Sequence, residues 1–284
     1  MIVLSKRWLN ITLSVLVIAS TALPAEIDAR EIVRRAVAAE DRNWKIARNY
    51  GFSERVDARR LDAEGGVKSK DVKLYDVTLQ DGSPYRRLTG RDDRALPPGD
   101  EKKEQDKLAR SLAERRKESA PQRARRLAEY EGRPDWQREA WNELPEAFDF
   151  RLTGEEGGSA RPVYVLEATP RQGYRPQSRT AGALLHLRGK LWIDKQDYHL
   201  AKAEVEVIDI ISVGLFLVRL AKGSRAVFEQ TRVNDEVWLP RRTQVFLSAR
   251  LGLLKVLRYE QEVIYSNIRE FPTASPVISH LKAQ

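Results

Sequence analysis

Beyond its first two dozen residues the chain predicts an α+β fold that is mainly β. The expected form is a curved antiparallel sheet forming an incomplete β-barrel closed by helices, with a charged helical insertion. Three observations predict it. Most extended segments alternate apolar and polar residues, as in Leu185, Leu187, Leu191 and Ile193 against Arg188 and Lys190, the pattern of a sheet covered on one side only. Helical segments are too few for a bundle, and strands do not alternate with helices as a parallel sheet requires. No internal repeat at solenoid or propeller spacing is present.

The elements follow in order. Asp28-Ala29-Arg30-Glu31 reads as a capping box, and Val33, Ala36, Val37, Trp44 and Ala47 then recur at helical spacing, which predicts one amphipathic helix over 29–48 with a core-packing stripe. Tyr50, Phe52, Val56 and Ala58 share one strand parity, Glu64-Gly65-Gly66 supplies a turn, and a second strand runs to about Leu79. Asp81-Gly82 is a hairpin signal leading into a third strand near Tyr85 to Thr89. Leu96-Pro97-Pro98-Gly99 breaks the strand, and Asp100–Ser119 is nearly all charged or small residues with Leu108 and Leu112 as its large apolar ones. Further helical pieces near Gln122 to Tyr130 and Asp135 to Glu143, the latter with Trp136 and Trp141, complete a solvated insertion over 91–144. From Phe148 the sequence is β again. Strands are expected at Arg161–Ala168, Leu185–Asp194, His199–Val207, Arg225–Val233, Val237–Arg250 and Val256 to about Ile268, with turns at 194–197 and 234–235. The tail over 273–284 reads as loose.

The N-terminus carries Lys6 and Arg7, then the uncharged run Ile11–Ala22 ending in Ser20-Thr21-Ala22. This is the pattern of a cleavable secretory signal peptide over 1–22, cut after Ala22 or, with Leu23 at −3, after Ala25. Pro24, Glu26 and Asp28 end the apolar run too soon to span a bilayer comfortably, and an uncleaved anchor is the structural alternative. The chain is thus read as periplasmic, with residues 23–272 forming one domain. It has no cysteine, which excludes disulfides, thiolate chemistry and a lipid-anchored cysteine after the signal. The formal net charge is +9, and removal of the signal takes away two cations and no acid. A basic surface favours anionic partners. A membrane surface fits an exported chain, and nucleic acid does not.

No catalytic or cofactor pattern emerges: G-x-S-x-G, H-E-x-x-H, P-loop and G-x-G-x-x-G sequences are all missing. His186 and His199 fall on opposite arms of one expected hairpin and could face each other across it, but without a third ligand beside them they read as surface histidines rather than a zinc site. The chain is therefore read as a non-enzyme with no cofactor and no metal. Two apolar stretches stand out instead, Ile208–Leu220 and Leu247–Leu257. They either close the ends of the core or form the mouth of an apolar cavity.

The run Gly189-Lys190-Leu191-Trp192-Ile193-Asp194-Lys195-Gln196-Asp197-Tyr198-His199-Leu200, with Phe228-Glu229-Gln230 through Leu239-Pro240, resembles the outer-membrane lipoprotein-sorting superfamily, which includes the LolA and LolB carriers and RseB-type envelope-stress sensors. The resemblance covers about 28–88 and 148–271 and rests on a hairpin, so it argues fold more than function. It implies a half-barrel with a hydrophobic cavity, and hence a protein holding acyl chains of a lipid or lipoprotein without a covalent bond. Strand parity expects Leu187, Leu191, Ile193, Val245, Leu247 and Leu251 to line the cavity, with Phe216 and Leu217 in its lid. The alternative is an envelope sensor or scaffold that binds a protein partner and has no lipid cavity. Expressed with its own N-terminus in a bacterial host, the protein is expected in the periplasmic fraction, starting between Leu23 and Glu26. Full-length chain in the inner membrane would contradict this.

Overall fold

The computed structural model describes residues 28–132, 135–158, 161–213, 218–251 and 255–271. The expected signal segment and tail lie outside them. The chain runs α1 (Ala29–Ala47), β1 (Tyr50–Leu61), β2 (Val67–Gln80), β3 (Ser83–Arg91) and the short β4 (Arg94–Ala95). Three helices follow, α2 (Pro98–Arg116), α3 (Ala120–Glu131) and α4 (Asp135–Ala147). Then come β5 (Phe148–Glu156), β6 (Val163–Pro170), α5 (Arg179–Leu184), β7 (Leu187–Asp194), β8 (Leu200–Val207), β9 (Ile211–Val213) and β10 (Val218–Leu220). The last three strands are β11 (Arg225–Val233), β12 (Val237–Leu251) and β13 (Lys255–Glu270).

All thirteen strands belong to one antiparallel sheet in the order β4-β3-β2-β1-β13-β12-β11-β8-β7-β6-β5. Its two edges, β4 and β5, do not pair, so the sheet stays open. β12 is long enough to pair with β11 over Val237–Phe246 and then, beyond it, with β10 over Ala249–Leu251. The Asp81-Gly82 hairpin forms with both residues at positive φ, 45° and 78°, the conformation that matches strand twist.

Cross-strand register defines the two faces. One file of neighbours runs Leu152, Leu166, Leu191, Ala203, Phe228, Thr243, Val263, Val56 and Lys73 across nine strands. This is the inner face, because α1 lies on it. Ile32, Val33 and Ala36 of α1 are buried against Tyr164, Leu166, Leu191, Ile193, Leu200 and Ala203. Burying side chains such as Ile32 and Val33 contributes roughly 1.5–3 kcal/mol each. Asp28 caps α1 by accepting the Arg30 amide at 2.9 Å, while Glu31 pairs with Arg35 at 3.0 Å instead of closing the capping box. At the other end of α1, Asn43 donates to the Trp238 carbonyl at 2.8 Å and accepts the Trp238 amide at 2.7 Å. That pair fixes the helix to the start of β12.

The outer face is a lattice of charges. Arg188 pairs with Glu206, Lys202 with Glu204 and Arg242 with Glu262, at 2.5–2.7 Å. Asp57 is 4 % exposed there although no apolar cluster covers it. Arg59, Lys70 and Arg55 surround it at 3.0, 3.4 and 3.7 Å. Burial alone would raise its carboxyl, but hydrogen bonds from Arg59 and Lys70 hold it below the usual carboxylate range.

Helices α2 and α3 contain no buried residue. They meet the β2–β3 hairpin through Arg115 and Arg126, which donate to the Gln80 and Asp81 carbonyls, and through Arg126 on Ser83 Oγ at 2.7 Å. Helix α4 is different: Trp141 and Leu144 pack on the core beneath α1, and Ala147 is fully buried. The solvated part of the insertion thus ends before α4. Replacing residues 98–131 with a short turn is expected to keep cooperative thermal unfolding, with a modest loss of stability from the missing hairpin contacts. The double variant Trp141→Ala, Leu144→Ala is expected to cost several kcal/mol, about 2–5 for each large core side chain removed. The reverse ranking would place the core boundary elsewhere.

Candidate functional site

Leu187, Leu191, Ile193, Val245 and Leu247 fall on two separate stretches of the sheet. Leu191 and Ile193 are 8 % and 0 % exposed, covered by α1, and belong to the packed core rather than an open wall. Leu187 packs at the edge of a second cluster with Phe148, Ala168, Ala181 and Leu184. Val245 and Leu247 share the inner face through the files Gly189–Val205–Ala226–Val245–Gln261–Ala58 and Leu247–Tyr259–Arg60. They are half-buried. Leu251 ends β12, opposite Val218 of β10. Phe216 and Leu217, expected in the lid, lie outside the described residues.

The same inner-face file therefore changes character along its length. Leu166, Leu191 and Ala203 are buried under α1, whereas Phe228, the next residue across, is 43 % exposed. From β11 to β2 the face carries Phe228, Val245, Leu247, Tyr259, Val56 and Ala58, and charged side chains of both signs enter where it reaches β1 to β3, Lys73 pairing with Asp71 at 2.5 Å. A shallow depression of about 390 Å³ lies there, lined by Val56, Ala58, Lys73, Tyr75, Arg86 and Tyr259 among others. Arg86 pairs with Glu54 at 2.6 Å and lies 3.3 Å from the Tyr75 ring centroid. Burial pushes the Tyr259 and Tyr265 hydroxyls up, so both stay neutral. A second opening, of about 490 Å³ and between the charges of Arg188, Lys190, Glu204, Glu206 and Arg225, is on the outer face. Both openings face solvent, and no enclosed acyl chamber is found among the described residues.

Comparison with solved structures returns distant matches only. Solved structures similar to this chain include a LolA superfamily protein from Nitrosomonas europaea, at 12 % identity and TM-score 0.32 over 87 % of this chain and 96 % of that one. A Vibrio parahaemolyticus domain named for outer membrane lipoprotein sorting matches at 12 % and 0.34, over 87 % and 95 %. A DUF1329 family protein from Desulfovibrio piger matches at 14 % and 0.32, over the same shares. No family model and no curated protein matches the sequence. The fold stands on the chain's own strand order and register.

The 189–200 hairpin serves as a structural joint. Asp194 is fully buried, accepts the amides of Gln196 and Asp197 at 2.9 and 3.1 Å, and is held by Arg161 at 2.8 Å. Asp197 accepts from Arg161, Arg232 and the Trp238 indole at 3.0, 2.6 and 3.0 Å. The hairpin is thereby tied to β11 and β12. The expectation of a surface His199 is corrected: the ring is 2 % exposed and stacks on Trp238 with centroids 5.2 Å apart. Its Nε2 lies 3.1 Å from Gln230 Oε1 and 3.5 Å from Glu40 Oε2. His186 does not face it. Register places Leu187 opposite Val207 and Ile193 opposite Leu200, so the two histidines flank opposite ends of the hairpin, and His186 Nδ1 approaches Asp209 at 3.6 Å. Among the described residues no group of three or more ligating side chains could hold a metal ion, and no helix is long and apolar enough to cross a membrane.

Burial pushes the His199 imidazole below its ordinary value of 6.5, against the upward pull of Glu40, Gln230 and Asp197. The folded protein thus holds His199 neutral where the unfolded chain already takes a proton. Stability is complete above about pH 6.5 and falls as pH drops from there toward the lower folded value, by at most about 1.4 kcal/mol per pH unit. Thermal unfolding followed from pH 7.5 to 5 is expected to show a steeper decline for the native chain than for His199→Gln. Equal slopes would refute the neutral, buried assignment.

Proposed function

We propose that this is an exported, periplasmic binding protein that holds the acyl chain of a lipid or lipoprotein non-covalently along the inner face from β11 to β2. One observation carries the reading: an apolar cross-strand file runs out from beneath α1 to the exposed ring of Phe228, with no helix above it among the described residues. Apolar surface of this kind is stabilised by a ligand at about 0.8 kcal/mol for each buried CH₂. Val245 and Leu247 continue the path, and Lys73, Arg60 and Arg86 stand at its end, where an anionic headgroup would meet them. Phe216 and Leu217 retain the lid role that the sequence assigns them. The binding needs no catalytic residue, metal or cofactor.

Titration with a fluorescent fatty acid tests the reading. The native chain is expected to bind it. Phe228→Asp and Val245→Asp are expected to weaken binding by about tenfold or more, whereas Ile264→Asp, an exposed position on the outer face, leaves it unchanged. Unfolding temperatures of all three variants separate lost binding from lost fold. A native protein that neither binds the probe nor co-purifies with lipid would overturn the proposal in favour of a protein-binding scaffold.

A further inference from the structure

Two segments that meet at one end of the sheet carry charge of a single sign. The segments 210–222 and 247–259 contain Arg219, Lys222, Arg250, Lys255 and Arg258 and no aspartate or glutamate, in an otherwise strongly apolar setting. Register brings the two segments together. β10 pairs with β12 so that Arg219 stands directly opposite Arg250, and Arg250 stands opposite Val256 of β13. Both arginines are exposed, and among the described residues neither has an acidic partner. Like charges placed directly opposite each other on neighbouring strands destabilise a sheet, so this pair has a cost that an external anion would remove.

The same file ends in an exposed apolar residue. Val256 is 56 % exposed, and Val67, which lies across Leu61 from Arg258, is 57 % exposed. Asp62 and Glu64 are in the β1–β2 turn beside β13, where Asp62 accepts the Glu64 and Gly66 amides and Arg258 donates to the Asp62 carbonyl, one strand farther from Arg219 and Arg250.

We propose that the end of the sheet formed by β10, β12 and β13 docks on an anionic lipid bilayer, with Arg219 and Arg250 at the headgroup phosphates and Val256 directed toward the acyl boundary. Arginine suits this position because its aliphatic stem lies along apolar surface while the guanidinium reaches phosphate. Clustered cations near a membrane each add to attraction for anionic lipid. The proposal deepens the acyl-binding reading by giving the protein a place to meet its membrane, yet it stands on different residues from the Phe228–Val245 path.

Co-sedimentation with vesicles tests it. The native chain is expected to bind vesicles of equimolar phosphatidylcholine and phosphatidylglycerol, and to bind phosphatidylcholine alone far more weakly. The variant Arg219→Glu, Arg250→Glu is expected to lose at least about tenfold in affinity, and Val256→Asp is expected to lose severalfold. The control Arg116→Glu, Arg123→Glu makes the same change in net charge on the helical insertion and is expected to retain binding. Equal losses in the control would overturn the site in favour of diffuse attraction. Full competition by soluble glycerol phosphate would reduce it to an anion site without a membrane, which also overturns it. The fatty-acid titration run on these same variants separates the two proposals. Intact probe binding with no vesicle binding defeats only the docking site.

Discussion

The sheet has a longer apolar face than its helices can cover, and the seat of α1 decides where the cover stops. Ile32, Val33 and Ala36 pack over β6, β7 and β8, and the two hydrogen bonds between Asn43 and Trp238 then hold the helix at the start of β12. Pairing both backbone groups of Trp238 with one amide fixes position and direction together, because a side-chain carboxamide offers one acceptor and one donor at a set spacing. Ion pairs of Arg30 and Arg34 with Glu146, and of Arg30 with Asp149, hold the other end of the helix against α4 and β5. Past β8 on that face, Ile46 and Ala47 of α1 still pack on Val237 and Leu239 at the start of β12, while Phe228, farther along β11, stands exposed.

This division gives the hairpin at 189–200 its purpose. The buried Asp194, the shared Asp197 and the stacked rings of His199 and Trp238 join β7 and β8 to β11 and β12 at the border between covered and open halves. A joint there keeps the open face in register with the packed one, so that Phe228, Val245 and Gln261 stay on the inner side. The charge lattice on the outer face works in the same direction. Pairs such as Arg188 with Glu206 and Arg242 with Glu262 make a one-residue slip in register costly, since such a slip would turn those charges inward.

Local patterns were legible in the sequence, and long-range pairs were not. The Asp81-Gly82 turn and the Asp28 cap are each written in a few adjacent residues and appear as expected, whereas the alternation at 187–194 gives way to a run buried on both faces from Leu191 to Asp194. Helix α5 escaped notice because it has only six residues, with Ser178 as its cap, too short to show a period. β9 and β10 are three residues each and fall within a stretch whose sequence reads as an apolar connection. The burial of His199 depends on Trp238 and Glu40, and that of Asn43 on a partner 195 positions away, so no local spacing could announce either. Cross-strand register puts Leu191 and Val245 on one face. Which of the two is covered depends on where α1 ends, and only the tertiary arrangement shows that.

The central claim is that the inner face is filled on one side and receptive on the other. A nitroxide-labelled stearic acid added to isotope-labelled protein reads this directly through line broadening of backbone amides. Broadening of Ala58, Ala226, Val245 and Gln261, with Leu166, Leu191 and Ile193 unaffected, is the result predicted. Broadening beneath α1, or none on either half, would contradict it.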